Sequence, residues 1–277
     1  MLGVILCEGV STHCLRVLTR NEMIELTERK LKILQAIITD FIQNAEPVGS
    51  RTLSKVLDMN ISPATIRNEM SDLEEMGYLY HPHTSSGRVP SDKAYRLYVN
   101  QMMDRYELDH REKERIKREL RIHMTELEKT VRHASELLSD LTNLTSFATL
   151  EDVRDMSLFL QGMTRIFSHP EYSKIEQARS FLEMVDDRER LANEVASRGE
   201  GLSITIGNEN SERITPGSTI ISATYRVDGR MLGKLGVIGP TRMKYSEITS
   251  VIDYMSKNLD KAFKMIEGKG VEPDDEV

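Results

Sequence analysis

Apolar residues at Leu31, Leu34, Ile37, Ile38 and Phe41 recur at helical spacing behind Thr27, and predict a first helix that ends before Pro47. Val48-Gly49-Ser50 follows, with Ser50 expected to cap a short second helix from Arg51 to Leu57 whose inward residues are Leu53, Val56 and Leu57. After a tight connection, Ser62-Pro63 supplies an N-cap and a proline at the first helical position, where no donor is lost. The third helix runs from Pro63 to Met76 and stops at Gly77, which suits a left-handed conformation. Ile66, Met70, Leu73 and Met76 share one of its faces, and Ala64, Thr65, Arg67, Asn68 and Ser71 lie opposite, near its start. Tyr78–Tyr80 reads as a strand, Ser86-Gly87 as the turn of a polar hairpin, and Ser91-Asp92 as the cap of a fourth helix carrying Tyr95, Leu97, Tyr98 and Met102.

Three helices and a small hairpin make a winged helix-turn-helix. A slim, hydrogen-bonding start of the third helix is what entry into a major groove requires. The expected DNA-contacting residues are Ser50, Arg51, Ser62, Ala64, Thr65, Arg67, Asn68 and Ser71 from the helices. The hairpin adds His83, Ser86, Gly87 and Arg88, with Arg88 and His83 as phosphate contacts. The same pattern is compatible with a plain packing module. From Glu28 to Asn100 acidic and basic residues balance, nine of each, which weakens a purely electrostatic argument. His81 and His83 lack a cysteine or carboxylate that would complete a metal site and read as a polar loop.

Between Asp104 and Asn143 the chain is charged and strongly helical, with Leu120, Met124, Leu127, Val131, Ala134, Leu138 and Leu141 forming a heptad seam. That seam pairs with a second chain or packs on its own domain; the spacing leaves both open. Further on, Met156–Leu160 reads as a buried strand. Tyr172–Met184 and Arg188–Ala196 read as helices, with Ile175, Ala178, Phe181 and Leu182 on one face. Leu202–Ile206 alternates as a strand, and segments 218–227 and 231–238 flank Asp228-Gly229, a strong hairpin signal. A last helix from Tyr245 to Ile266 carries Ile248, Val251, Ile252, Met255, Leu259 and Phe263. Gly236-Val-Ile-Gly-Pro-Thr-Arg242 lacks both the Walker lysine and GxGxxG spacing, so a structural turn is expected there.

Several long motifs resemble the HrcA family of heat-inducible repressors of bacterial chaperone operons. They are Leu26–Lys30, Glu46–Arg51, Ile61–Glu74, Gly77-Tyr-Leu, His81–Ser91 and Ala94–Tyr98, with Ser222–Arg226 and Gly236–Met243 near the far end. The resemblance implies a homodimer on an inverted-repeat operator called CIRCE, modulation by the chaperonin GroEL, and a GAF-like C-terminal domain. One departure stands out. After Asn143–Ser146 a typical member continues for several tens of residues before the part matching Met156, and this chain does not. The expectation is therefore an α+β protein with an N-terminal winged helix-turn-helix, a long linker helix and a shortened GAF-like domain that has lost strands on one side. The expected divisions are an extension at 1–22, the winged domain at 23–103, a linker or dimerisation helix at 104–150, the C-terminal domain at 151–268, and a tail at 269–277.

The bulk numbers exclude more than they assign. Length 277 suffices for two domains, and no run approaches the roughly 20 apolar residues of a membrane span. Residues 1–22 contain a short apolar run, Leu2–Leu6, but lack the basic start and the full apolar region of a secretory signal, and Met23 offers an alternative start. The only cysteines, Cys7 and Cys14, fit neither a zinc pattern nor a disulfide framework, so a reducing cytoplasm is expected. A net charge of −7 confines any nucleic-acid contact to a local cluster. No GxSxG or HExxH motif and no cofactor fingerprint occurs, so neither an enzyme nor a bound cofactor is expected. Two alternatives to the repressor remain: a metabolite-responsive winged-helix regulator, separated by ligand dependence of DNA affinity, and a winged-helix protein-interaction module. The module would need an apolar anchor on the third helix, and Ala64, Thr65, Arg67 and Asn68 offer none.

Overall fold

The computed structural model describes residues 26–57, 61–83, 86–122, 127–151, 156–210, 217–227 and 229–266. The winged unit comes first: α1 (Glu28–Asn44), α2 (Ser50–Val56), α3 (Pro63–Glu75), the two-stranded wing β1 (Leu79–Tyr80) and β2 (Val89–Pro90), and α4 (Asp92–Leu97). Thr27 caps α1 by accepting from the Lys30 amide, and Ser62 caps α3 by accepting from Thr65 at 3.1 Å. Gly77 follows α3 with φ +76°, the left-handed stop expected of it. The wing lies close under the start of α2. A Cβ on Gly87 would stand 2.5 Å from the Val48 carbonyl carbon and oxygen, so only glycine permits this approach.

Three readings within this unit are corrected. Ser50 does not cap α2; the extended Gly49 stands at the N-cap without a side-chain bond, and Ser50 is the first helical residue, turned inward and buried. Val56 points outward at 68% exposure, because a two-turn helix has room for one well-buried position, and Leu53 fills it. In α1 the deepest residues are Ile33, Leu34, Ile37 and Ile38, with Leu31 and Phe41 half-buried at the edges of that stripe. The connection at 58–60 and the wing tip at 84–85 lie outside the described residues.

The expected linker helix is divided. Residues 103–109 form a non-helical strap, followed by α5 (His110–Ile122) and α6 (Leu127–Thr142). Val131, Ala134 and Leu138 of the seam are fully buried within the chain, and Leu120 on α5 is nearly so. The seam is therefore spent inside its own fold and is not a free dimer surface. Met124 falls outside the described residues. The linker also ends sooner than expected, because Thr145–Glu151 is already a strand of the main sheet.

That sheet has five antiparallel strands: β3 (Thr145–Glu151), β4 (Met156–Gln161), β5 (Leu202–Ile206), β6 (Ser218–Val227) and β7 (Arg230–Pro240). Their order is β4-β3-β7-β6-β5. Successive residues alternate between faces. Phe147, Ile220 and Ile238 meet one helical layer, and Ala148, Ile221 and Val237 meet the other. The first layer is α7 (Ile175–Asp186) and α8 (Arg188–Ala196), preceded by short 3-10 turns; the second is α6 with α9 (Tyr245–Ile266). All six apolar residues expected on α9 are buried. The α+β class is as expected.

Two details differ. Met156–Gln161 is an edge strand and mostly half-buried, with no further strand beside it among the described residues. On α7 the core face is Ala178, Phe181 and Val185, while Ile175 is 83% exposed and Leu182 sits at the margin. At 3.6 residues per turn, Leu182 and Ile175 lie about 100° and about 120° from Phe181, off the buried face. The Gly236–Arg242 segment is the end of β7 and a turn, with Arg242 paired to Glu171.

The two units share one core. Tyr95 of α4 and Tyr245 of α9 are both buried with ring centroids 5.9 Å apart. Arg96 donates to Glu209 at 2.6 Å and to the Ile204 carbonyl at 2.8 Å, and Asp92 accepts from the Asn208 amide. Arg242 donates to the Ile42 carbonyl at the end of α1, at 2.7 Å. No described helix is long and apolar enough to cross a membrane.

Candidate nucleic-acid interface

The outer face of α3 is as the spacing predicts. Ser62, Pro63, Ala64, Arg67 and Asn68 are exposed, and Thr65 and Ser71 are half-buried. Ser62 and Thr65 spend part of their hydrogen-bonding capacity on the cap, with their hydroxyls 3.0 Å apart. The inward face holds Ile66, Met70 and Leu73, together with a charge the sequence reading missed. Glu69 is buried, ion-paired to Arg29 and, at 2.6 Å, to Lys30; Lys30 also reaches Asp72 at 2.7 Å. These hydrogen bonds hold the Lys30 ammonium above its ordinary pKa. Its signal was legible: Ile66, Glu69, Met70 and Leu73 fall at i, i+3, i+4 and i+7, so a carboxylate occupies an apolar-face position and requires a cationic partner.

The wing is tied to α3 by a second missed carboxylate. Glu74 takes both His81 Nδ1 and, at 2.8 Å, an Arg88 terminal nitrogen. A carboxylate therefore does meet His81, although as a hydrogen-bond partner. This arrangement also revises Arg88. Its side chain is only 14% exposed, its backbone bridges Val48 in both directions, and its Nε is buried without a partner. In this conformation Arg88 fastens the wing and is not presented on the protein surface. Leaving such a donor unmade costs about 1–3 kcal/mol. Ser86 closes the wing turn through its hydroxyl, which accepts from the His83 amide at 3.0 Å; His83 itself is exposed.

The charge balance resolves once the partners are known. Arg29 and Lys30 are held by Glu69, Lys32 by Glu28, Arg88 by Glu74 and Arg96 by Glu209. Lys93 donates to the Met76 carbonyl and lies over the Tyr78 ring. Of the nine cations, Arg51, Lys55, Arg67 and Lys93 have no ion-pair partner among the described residues. Lys93 is taken up by the Met76 carbonyl and the Tyr78 ring, whereas the other three are exposed and stand on α2 and α3. Pairing thus leaves three exposed cations on the helix-turn-helix.

Six of the twelve expected residues meet in one place. Ser50, Arg51, Arg67, Ser86, Gly87 and Arg88 line a cleft of about 420 Å³ between the start of α2, α3 and the wing. Ser62, Ala64, Thr65, Asn68, Ser71 and His83 lie outside it. Val48, Gly49, Met70 and His81 complete the cleft without having been expected there.

Comparison with known families accounts for both units. Residues 25–104 match the model of the winged helix-turn-helix transcription repressor, HrcA DNA-binding, and residues 98–249 match that of the HrcA protein C terminal domain. The chain belongs to the HrcA family. The heat-inducible transcription repressor HrcA of Clostridium tetani is 35% identical over 87% of this chain and 97% of its own length. That of Clostridioides difficile is 33% identical over 84% and 98%. This HrcA-family chain is accordingly a heat-inducible transcription repressor with a winged-helix DNA-binding domain. A crystal structure described as a hypothetical protein at 2.2 Å resolution shares the fold, with a TM-score of 0.75 at 21% identity over 87% of this chain and all of that one.

The alignment with the C. tetani repressor runs over 341 positions but takes in 87% of the 277 residues of this chain, about 241, so about 100 of its positions have no counterpart here. At the place where the shortening is expected, after Ser146, β3 and β4 pair antiparallel, from Ser146 opposite Gln161 to Glu151 opposite Met156, and the described sheet has five strands.

Proposed function

We propose that this HrcA-family repressor acts as a homodimer on an inverted-repeat operator, the CIRCE element of chaperone operons, in the cytoplasm. Each copy places Pro63–Ser71 in a major groove, with Arg67 and Asn68 as donors to base edges and Ala64 and Thr65 allowing close approach. The wing lies against flanking backbone and fixes the register. Bound protein excludes polymerase, heat depletes the active form, and the chaperonin GroEL restores it. The observation that carries the reading is the placement of Arg51, Lys55 and Arg67, three exposed cations without a carboxylate partner among the described residues, on the helix-turn-helix. The family match supports the repressor role. Because the α6 seam is buried within the chain, the two copies meet through other surfaces.

Fluorescence anisotropy with an inverted-repeat operator and a scrambled duplex at fixed salt tests this. The expected preference is about a thousandfold or more. Arg67→Ala should lose about 1–3 kcal/mol of it. Equal, weak binding to both duplexes would sink the reading. For the chaperonin, binding should fall after a heat pulse and return when GroEL and ATP are added; full binding without them would count against that role.

A further inference from the structure

The cleft between α2, α3 and the wing has a composition that groove reading does not require. Arg51, Arg67 and Arg88 line it, and no carboxylate does; Glu74 stands behind Arg88. Two of its donors are unspent. Ser50 is 8% exposed and its hydroxyl has no hydrogen-bond partner among the described residues. Arg88 Nε is buried and unpartnered. In a chain of net charge −7, the exposed Arg51 and Arg67 guanidinium groups, the Arg88 charge and the unspent Ser50 hydroxyl around one cleft make a local anion trap.

The geometry points to this cleft as a seat for one phosphate group, held by Arg51, Arg67 and Ser50, with the Arg88 guanidinium, itself spent on Glu74, adding positive charge from the wing. The proposal rests on the DNA-binding reading and deepens it: the occupant is a phosphodiester of the operator backbone. Its task is to fix how far α3 enters the groove, because the seat joins α2, α3 and the wing. Seating a phosphate contributes affinity without sequence information. A free phosphate ion shares the chemistry, and the experiment separates the two sources.

Operator duplexes carrying one neutral methylphosphonate at each backbone position in turn are titrated against wild-type, Ser50→Ala and Arg51→Ala protein. Arg51 is exposed and Ser50→Ala removes only a hydroxyl, so both variants should fold; circular dichroism melting checks this. For wild-type protein, one symmetry-related pair of phosphates should cost about tenfold when neutralised. Arg51→Ala should bind operator and scrambled duplex about equally more weakly, with a salt slope lower by about one. It should no longer respond to that methylphosphonate. Operator preference retained, with the substitution and every methylphosphonate acting independently, overturns the seat while leaving the repressor reading intact. If wild-type protein shows no operator preference, the repressor reading fails. Thermal melting in inorganic phosphate then decides the seat. Stabilisation lost in Arg51→Ala and Ser50→Ala supports a free-anion site, and its absence overturns it.

Discussion

Lys30 Nζ lies 2.6 Å from Glu69 Oε2, and through this contact the first helix holds the buried side of the helix whose outer face carries Arg67 and Asn68. Glu69 also takes Arg29, so one carboxylate fixes two cations. Glu69→Ala should lower stability by about 1–3 kcal/mol, the range for hydrogen bonds to charged groups. Operator affinity should fall as α3 loses its brace. Urea unfolding measures the first; an unchanged midpoint would show that Asp72 alone suffices for Lys30.

Gly87→Ala should separate the wing from α2. The new methyl would stand 2.5 Å from Val48 backbone atoms, which cannot give way as a side-chain tip can. A loss of about 1–3 kcal/mol, typical of overpacking, is expected in denaturant unfolding, with weaker DNA binding. Full stability in this variant would mean that the wing is not seated against residues 47–48.

Arg96→Ala tests the join between the units. Arg96 is partly exposed, so its bond to Glu209 is screened and the loss should be small, roughly 1 kcal/mol. The shared core through Tyr95 and Tyr245 should keep unfolding as a single transition. Calorimetry resolving two separate transitions in Arg96→Ala would show that the Arg96 contacts, and not the core, couple the units.

Alkaline pH should unfold the chain through its buried tyrosines. Burial raises Tyr95, Tyr225 and Tyr245 well above the ordinary 10 and pushes Tyr172 up to about 12. Above pH 10 the unfolded chain releases these protons while the folded chain keeps them. Their contribution to stability is therefore whole below pH 10 and is lost as pH climbs toward 12 and beyond. Tyrosinate absorbance should lag behind that of free tyrosine and then rise together with the loss of circular dichroism. Smooth titration near pH 10 without unfolding would show that these hydroxyls are open to solvent.

The local elements were legible because their causes are local. Thr27, Ser62 and Ser91 cap the helices they precede, and Gly77 ends α3. The α9 stripe from Ile248 to Phe263 is buried residue for residue, since a helix of 22 residues repeats its pattern often enough to fix its face. Short or marginal elements were misjudged. The two turns of α2 left Ser50 and Val56 ambiguous, and α7 has only three deeply buried positions to define its phase.

The amino-acid sequence by itself determined the winged helix-turn-helix, the α+β class, the family and which residues stand on the outer face of α3. These follow from spacing, capping chemistry and long local motifs. Tertiary structure alone decided the partners. A heptad seam suits a second chain and the chain's own sheet equally well, and only the packing of α6 beneath β3 shows that Val131, Ala134 and Leu138 are already used. Nine cations against nine anions read as neutral in sequence. Glu69 is 39 residues from Lys30 and Glu74 is 14 from Arg88, so folding decides which charges cancel. Folding leaves Arg51, Lys55 and Arg67 exposed on α2 and α3 without a carboxylate partner among the described residues, because Coulomb pairing depends on distance in space and not on distance along the chain.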